Sequence, residues 1–124
     1  MYSVAAVAAG GAAGALLRYW TVAWVYARFG AGFPYGTLVV NVSGSLLMGF
    51  AFVLLNERLA LGPEWRALLM VGVLGAFTTF STFSMDTLNL LLDAEYTKAV
   101  LNVLLSVILC IAAAGLGLFL GRQL

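Results

Sequence analysis

The chain has 124 residues, 64% of them hydrophobic and only 9% charged, with a mean hydropathy of +1.07. A soluble domain is about half apolar and a quarter charged, so this chain cannot hide its apolar surface in a core of its own, and a lipid bilayer is the solvent that fits. A net charge of +1 gives no reason to expect nucleic acid or an acidic partner. The absence of histidine removes most metal sites, the triad hydrolases and the usual proton shuttle.

A spanning helix needs about 20 apolar residues, and four stretches qualify. The first runs from Ser3 to Tyr26. It has no charged leader and Arg18 interrupts it, so it reads as a retained span and not a cleavable signal. Gly10, Gly14 and Arg18 share one face, a spacing that lets backbones approach closely. Arg18 within a span either draws an anion into a wet vestibule, or caps carbonyls and pairs with a carboxylate. After the turn at 28–34, the second span runs from Gly36 to Leu55, carrying Thr37, Asn41, Ser45 and Gly49 at four-residue intervals. Asn41 serves there as interhelical glue or as a polar lining.

Pro63 suits the first turn of the next helix, and the third span is placed at Trp65 to Leu92. At 28 residues one helix would measure about 42 Å against roughly 30 Å of hydrocarbon. Its middle, Gly72-Val-Leu-Gly75-Ala-Phe-Thr78-Thr79-Phe80-Ser81-Thr82-Phe83-Ser84, combines glycines with hydroxyls that can satisfy backbone groups outside a helical ladder. A broken helix is expected, tolerated at membrane depth only when buried in protein or lining a wet cavity. Phe80 and Phe83 are packing, or else their positive ring edges join the hydroxyls in replacing water around a small anion. Asp86, one turn on, either takes part in transport, caps a turn or balances Arg18. The fourth span runs from Thr97 to Leu120, with Asn102, Ser106 and Cys110 on one face. The lone cysteine cannot form an intrachain disulfide.

The expected architecture is all-α: one domain over residues 1–124, with four transmembrane helices and a broken third. Counting basic residues, Arg58, Arg66 and Arg122 fall on one side of the membrane and Arg28 and Lys98 on the other. With so little bias, insertion in either orientation is one reading and short, charge-poor loops the other. No nucleophile–base or metal set points to an enzyme.

The third-span string resembles the Fluc family of fluoride channels, also called CrcB proteins. Gly11-Ala-Ala-Gly14-Ala15-Leu-Leu-Arg18-Tyr19 and Gly36-Thr37-Leu38-Val39-Val40-Asn41-Val42-Ser43-Gly44 are similar to its first- and second-helix motifs. The resemblance implies an antiparallel, dual-topology homodimer in a bacterial inner membrane, with two pores passing fluoride passively. It assigns the fluoride path to Asn41, Phe80, Phe83, Ser81, Thr82, Ser84 and Ser106. The backbone carbonyls of Gly75 and Thr78 from both subunits correspond to a structural sodium site. This chain departs from the family pattern at Asp86, where glutamate is common, and at Asn102, where some members carry an aromatic hydroxyl. The competing readings are a small dual-topology, proton-coupled exporter of cationic compounds and a structural membrane subunit. The exporter needs an embedded carboxylate, which the first, second and fourth spans lack.

Overall fold

The computed structural model describes residues 2–59 and 61–124, and among them all regular structure is helical. The first helix, Tyr2–Phe29, continues past the apolar run because nothing stops it before Gly30. Gly30 adopts φ +79° and returns its N–H to the Tyr26 carbonyl at 2.9 Å, the left-handed glycine termination that few other residues accept. The second helix is α-helical over Tyr35–Val53 and widens to a π-helical turn over Leu54–Arg58. The third segment starts at Pro63, in the first turn where a missing N–H does no harm. It is π-helical over Ala67–Leu74, α-helical over Gly75–Phe77, interrupted at Thr78 and Thr79, and resumes as Phe80–Leu92. The fourth helix is Tyr96–Gln123.

Three of these pieces, Tyr35–Arg58, Pro63–Leu92 and Tyr96–Gln123, are long and apolar enough to cross a membrane. The first helix has the length, at 28 residues, but its alanines, glycines and Arg18 dilute its apolar character. Hence three helices qualify by length and composition where the sequence suggested four spans.

Packing rests on close backbone approach. The first helix lies against the π-helical half of the third segment, where a Cβ on Gly10 would overlap the Leu68 carbonyl oxygen and one on Gly14 that of Val73. The second and fourth helices form the most extensive pairing. Gly49 faces Ala114 and Gly121 faces Val53, so the two run in the same direction. The apolar core is small: Val25, Val40, Val53, Leu55, Leu74, Phe83 and Ala99. The chain exposes 7507 Å², whereas a compact soluble protein of 13.1 kDa exposes about 6,400 Å². The excess is apolar side chain facing outward, as lipid or a partner subunit requires.

Candidate functional site

The interruption of the third segment is made stable by hydrogen bonds from three directions. Thr78 (φ −89°, ψ 157°) and Thr79 (φ −152°, ψ 119°) are extended. The Thr78 N–H still reaches the Leu74 carbonyl at 3.1 Å, and its hydroxyl donates to the same oxygen at 3.0 Å. The peptide groups of Thr79 are held by Asn41: the N–H donates to Oδ1 at 2.7 Å, and Nδ2 donates to the Thr79 carbonyl at 3.0 Å. The Thr79 hydroxyl then accepts from the Thr82 N–H at 3.2 Å, capping the helix that begins at Phe80. Asn41 is therefore the clamp across the break, and both ends of its amide are engaged. Two carbonyls lose their ordinary helical donors as a result. The Thr79 N–H that would serve Gly75 goes to Asn41, and the Thr82 N–H that would serve Thr78 goes to the Thr79 hydroxyl.

The break separates two open clefts, and Thr79 lines both. One, of about 360 Å³, lies between the second and fourth helices and brings together Asn41, Thr78, Phe80, Phe83, Ser106 and Cys110. The two phenyl rings touch, with centroids 5.3 Å apart and planes tilted by 48°. Phe80 is 78% exposed while Phe83 is only 9% exposed. Ser106 is 7% exposed, and among the described residues its hydroxyl has no hydrogen-bond partner; it opens into the cleft. The other cleft, of about 440 Å³, contains Arg18, Tyr19, Thr37, Thr79 and Thr82.

Several side chains sit elsewhere than the sequence suggested. Asp86 does not balance Arg18. It accepts a 2.6 Å hydrogen bond from the buried Thr37 hydroxyl and lines a third hollow beside Gly32, Pro34 and Asp93. Arg18 makes no ion pair or hydrogen bond among the described residues. Ser81 and Ser84 are exposed and lie outside the phenylalanine cleft, and the Ser84 hydroxyl turns back to the Phe80 carbonyl at 3.0 Å. Gly75 is exposed as well. Asn102 leaves the Ser106 cleft altogether: it is buried and donates to the Thr87 hydroxyl at 2.9 Å, fastening the fourth helix to the third segment. Thr79, the residue at the centre of the site, was not singled out. A threonine directly before an amphipathic run is an N-cap signal that would have identified it.

The sequence matches the family described as CrcB-like protein, Camphor Resistance (CrcB), over residues 5–118. A protein of Methylococcus capsulatus is 55% identical over 122 residues, covering 98% of this chain and 54% of that protein. One from Shewanella amazonensis is 54% identical over 124 residues, covering 100% and 96%. One from Magnetococcus marinus is 52% identical over 119 residues, covering 96% and 97%. Each carries the name fluoride-specific ion channel FluC, a channel and not an enzyme. This chain spans about half the length of the Methylococcus relative and nearly all of the other two. With three membrane-competent helices and a motif-bearing break within one of them, it is a multi-pass membrane protein that belongs to the CrcB-like family.

Proposed function

We propose that the protein is a fluoride channel, passing the ion passively through the cleft lined by Asn41, Phe80, Phe83 and Ser106. The observation that carries this reading is the Ser106 hydroxyl, on a buried residue but without a partner among the described residues, in a cleft it shares with two phenyl rings. Fluoride is small and strongly hydrated, so a path through a membrane must replace its water with donors. A hydroxyl hydrogen and the positive rim of a phenyl ring both offer positive charge, and neither binds so tightly as to trap the ion.

Arg18, without an ion pair among the described residues and beside Thr37 and Thr82, supplies an attractive potential on the far side of the break, in keeping with a vestibule. Ser81 and Ser84, exposed on the monomer, are assigned to the same path once a second subunit closes the open side of the cleft. The working unit in this reading is an antiparallel homodimer with two pores, each chain contributing four spans in a bacterial inner membrane. The carbonyls of Gly75 and Thr78, freed from their helical donors, fit a sodium ion between the subunits, since hard cations take oxygen ligands. There its charge would hold the two broken helices together.

The test is fluoride efflux from liposomes holding only the purified protein. Passive conduction predicts efflux that needs a counter-ion pathway such as a potassium ionophore and proceeds equally at matched pH. Efflux driven by a proton gradient alone would instead favour a proton-coupled exporter, and no efflux would sink the channel reading. Reporters fused to the C-terminus, active on opposite membrane sides, are expected to give signal from both.

A further inference from the structure

Thr37, Asn41, Ser45 and Gly49 recur at four-residue intervals along the second helix, and the fold employs three of them. Thr37 donates to Asp86, Asn41 clamps Thr79, and Gly49 lies against the backbone of Ala114. Ser45 is left over. A helical serine can turn its hydroxyl back on a carbonyl three or four residues earlier, as Ser43 does on Val39 and Ser84 on Phe80. The half-buried Ser45 does not, and among the described residues its hydroxyl bonds to no other group. No buried side-chain oxygen among them lacks a partner, so the Ser45 hydroxyl is one that solvent reaches, and the space it lines is the phenylalanine cleft. We infer that Ser45 is a further fluoride-binding residue, a hydroxyl donor on the path beyond Asn41 that the family resemblance does not assign. The inference rests on the channel reading.

The register of the helices places it. Gly49 sits between Ala114 and Leu118, and Gly117 between Leu46 and Phe50, which sets Cys110 level with Asn41. Ser106 then stands about one turn before that level and Ser45 about one turn beyond it. The third segment runs the other way, with Asp86 at Thr37 and Thr79 at Asn41, so Phe80 and Phe83 belong to the Asn41 and Ser106 part of the cleft. Beyond Asn41 the lining is Ser45, Met48 and Thr78, and the Thr78 hydroxyl is spent on the Leu74 carbonyl. Ser45 therefore holds the hydroxyl that is free to donate there. An anion that has shed water between the phenyl rings needs a donor at each further step, because unpaired charge in an apolar space is costly. A hydroxyl meets its acceptor at about 2.7 Å, so two donors one helical turn apart, about 5.4 Å, can hold one ion between them. The Ser106 hydroxyl, the Nδ2 hydrogen of Asn41 that Thr79 does not take, and the Ser45 hydroxyl follow one another at about that interval.

The experiment compares purified full-length native protein with Ser45→Ala, which removes the hydroxyl, and Ser45→Thr, which keeps it. Ser43→Ala is the control, since the Ser43 hydroxyl bonds only within its own helix. Fluoride efflux from liposomes and the thermal unfolding midpoint in detergent are measured for each. Alanine favours a helix more than serine does, so Ser45→Ala should fold and keep the native midpoint. Its efflux should fall by about tenfold or more, the effect of removing one hydrogen bond to a charged group at a barrier. Ser45→Thr should restore most of that flux, and Ser43→Ala should conduct as the native protein does. Native efflux from Ser45→Ala removes Ser45 from the path and leaves the channel reading standing. An equal loss in Ser45→Ala and Ser45→Thr, or a loss matched by a fall in the midpoint, makes Ser45 a packing residue and overturns the inference. A native protein without efflux overturns the channel reading itself, and the role of Ser45 with it.

Discussion

Replacing Asn41 with alanine tests whether the break in the third segment is held from outside or by its own sequence. Asn41 makes two hydrogen bonds to the main chain of Thr79, one to each of its flanking peptide groups, at 2.7 and 3.0 Å, and Thr79 is 9% exposed. Alanine leaves the Thr79 N–H without its partner in a place that water reaches poorly, and takes one donor from a carbonyl that, as N-cap, still accepts the first bond of the helix beginning at Phe80. An orphaned buried group costs about 1–3 kcal/mol, so the lost N–H partner predicts a loss of about that size before relaxation. Ser43→Ala is the matched control on the same helix. The Ser43 hydroxyl bonds only within its own helix, to the Val39 carbonyl at 2.6 Å and the Val40 carbonyl at 3.4 Å, oxygens that keep their helical partners. Its loss should change stability by no more than about 0.5 kcal/mol. Both proteins are unfolded in mixed detergent micelles and followed by tryptophan fluorescence, with fluoride efflux measured in parallel. Asn41→Ala should shift the midpoint strongly and lose flux. If it unfolds with the midpoint of Ser43→Ala, the clamp is not what fixes Thr79, and the account of the break fails.

The two phenylalanines should separate in their effects. Phe83→Ala, in a buried position, is expected to lose about 3–5 kcal/mol, whereas Phe80→Ile, at 78% exposure, should alter stability by only about 0.5 kcal/mol and yet lower fluoride efflux by about tenfold or more, as removal of a ring edge implies. Unchanged efflux in Phe80→Ile would return that ring to packing. On the first helix, Gly14→Ala places a methyl on the Val73 carbonyl oxygen and should destabilise by about 1–3 kcal/mol. Gly11→Ala, with open space at its Cβ, should be neutral or gain up to about 1 kcal/mol from helix propensity, and the two thermal midpoints check this. Ala94→Gly should stabilise by about 1 kcal/mol. Ala94 holds φ 59° at the end of the third segment, between the Glu95 N–H bond to Leu90 at 2.8 Å and its own to Leu91 at 3.1 Å, a left-handed cap that glycine fills without a side-chain clash.

The order and number of helices were legible because long apolar runs punctuated by Gly30, Pro63 and the 93–95 turn leave little else to form. Their ends were less so. The runs mark where hydrocarbon would be, while the helices extend a turn further into polar residues, to Phe29, Arg58 and Gln123. A break in the third segment followed from its length and its Gly, Ser and Thr residues. The same residues put it at Gly75 to Thr78; that it falls at Thr78–Thr79 depends on a long-range partner, Asn41, that no local pattern supplies. The face shared by Asn102, Ser106 and Cys110 was correctly periodic, yet only the last two reach the cleft. Which part of a helical stripe meets a neighbour depends on where that neighbour ends, and Thr87 claims Asn102 first. The pairing of Asp86 with Thr37 was equally out of reach, since the sequence offered an arginine as the obvious counter-charge.

The π-helical run over Ala67–Leu74 has a mechanical meaning for the break that follows it. In a π-helix each bond skips one residue more than in an α-helix, so the run stores chain that an α-helix would spread along its axis at about 1.5 Å per residue. Retightening even one residue there would drive Thr78 and Thr79 along the axis, past the fixed amide of Asn41. The run begins immediately after Arg66, which is tied to Asn56 at 3.0 Å, within the π-helical turn of the second helix. The two wide turns are thus anchored to each other at one end of the bundle. The half-helix ahead of the break behaves as a short spring with its far end pinned. Substitutions at Asn56 or Arg66, remote from the clefts described above, are expected to act on the position of the break through the length of chain between them.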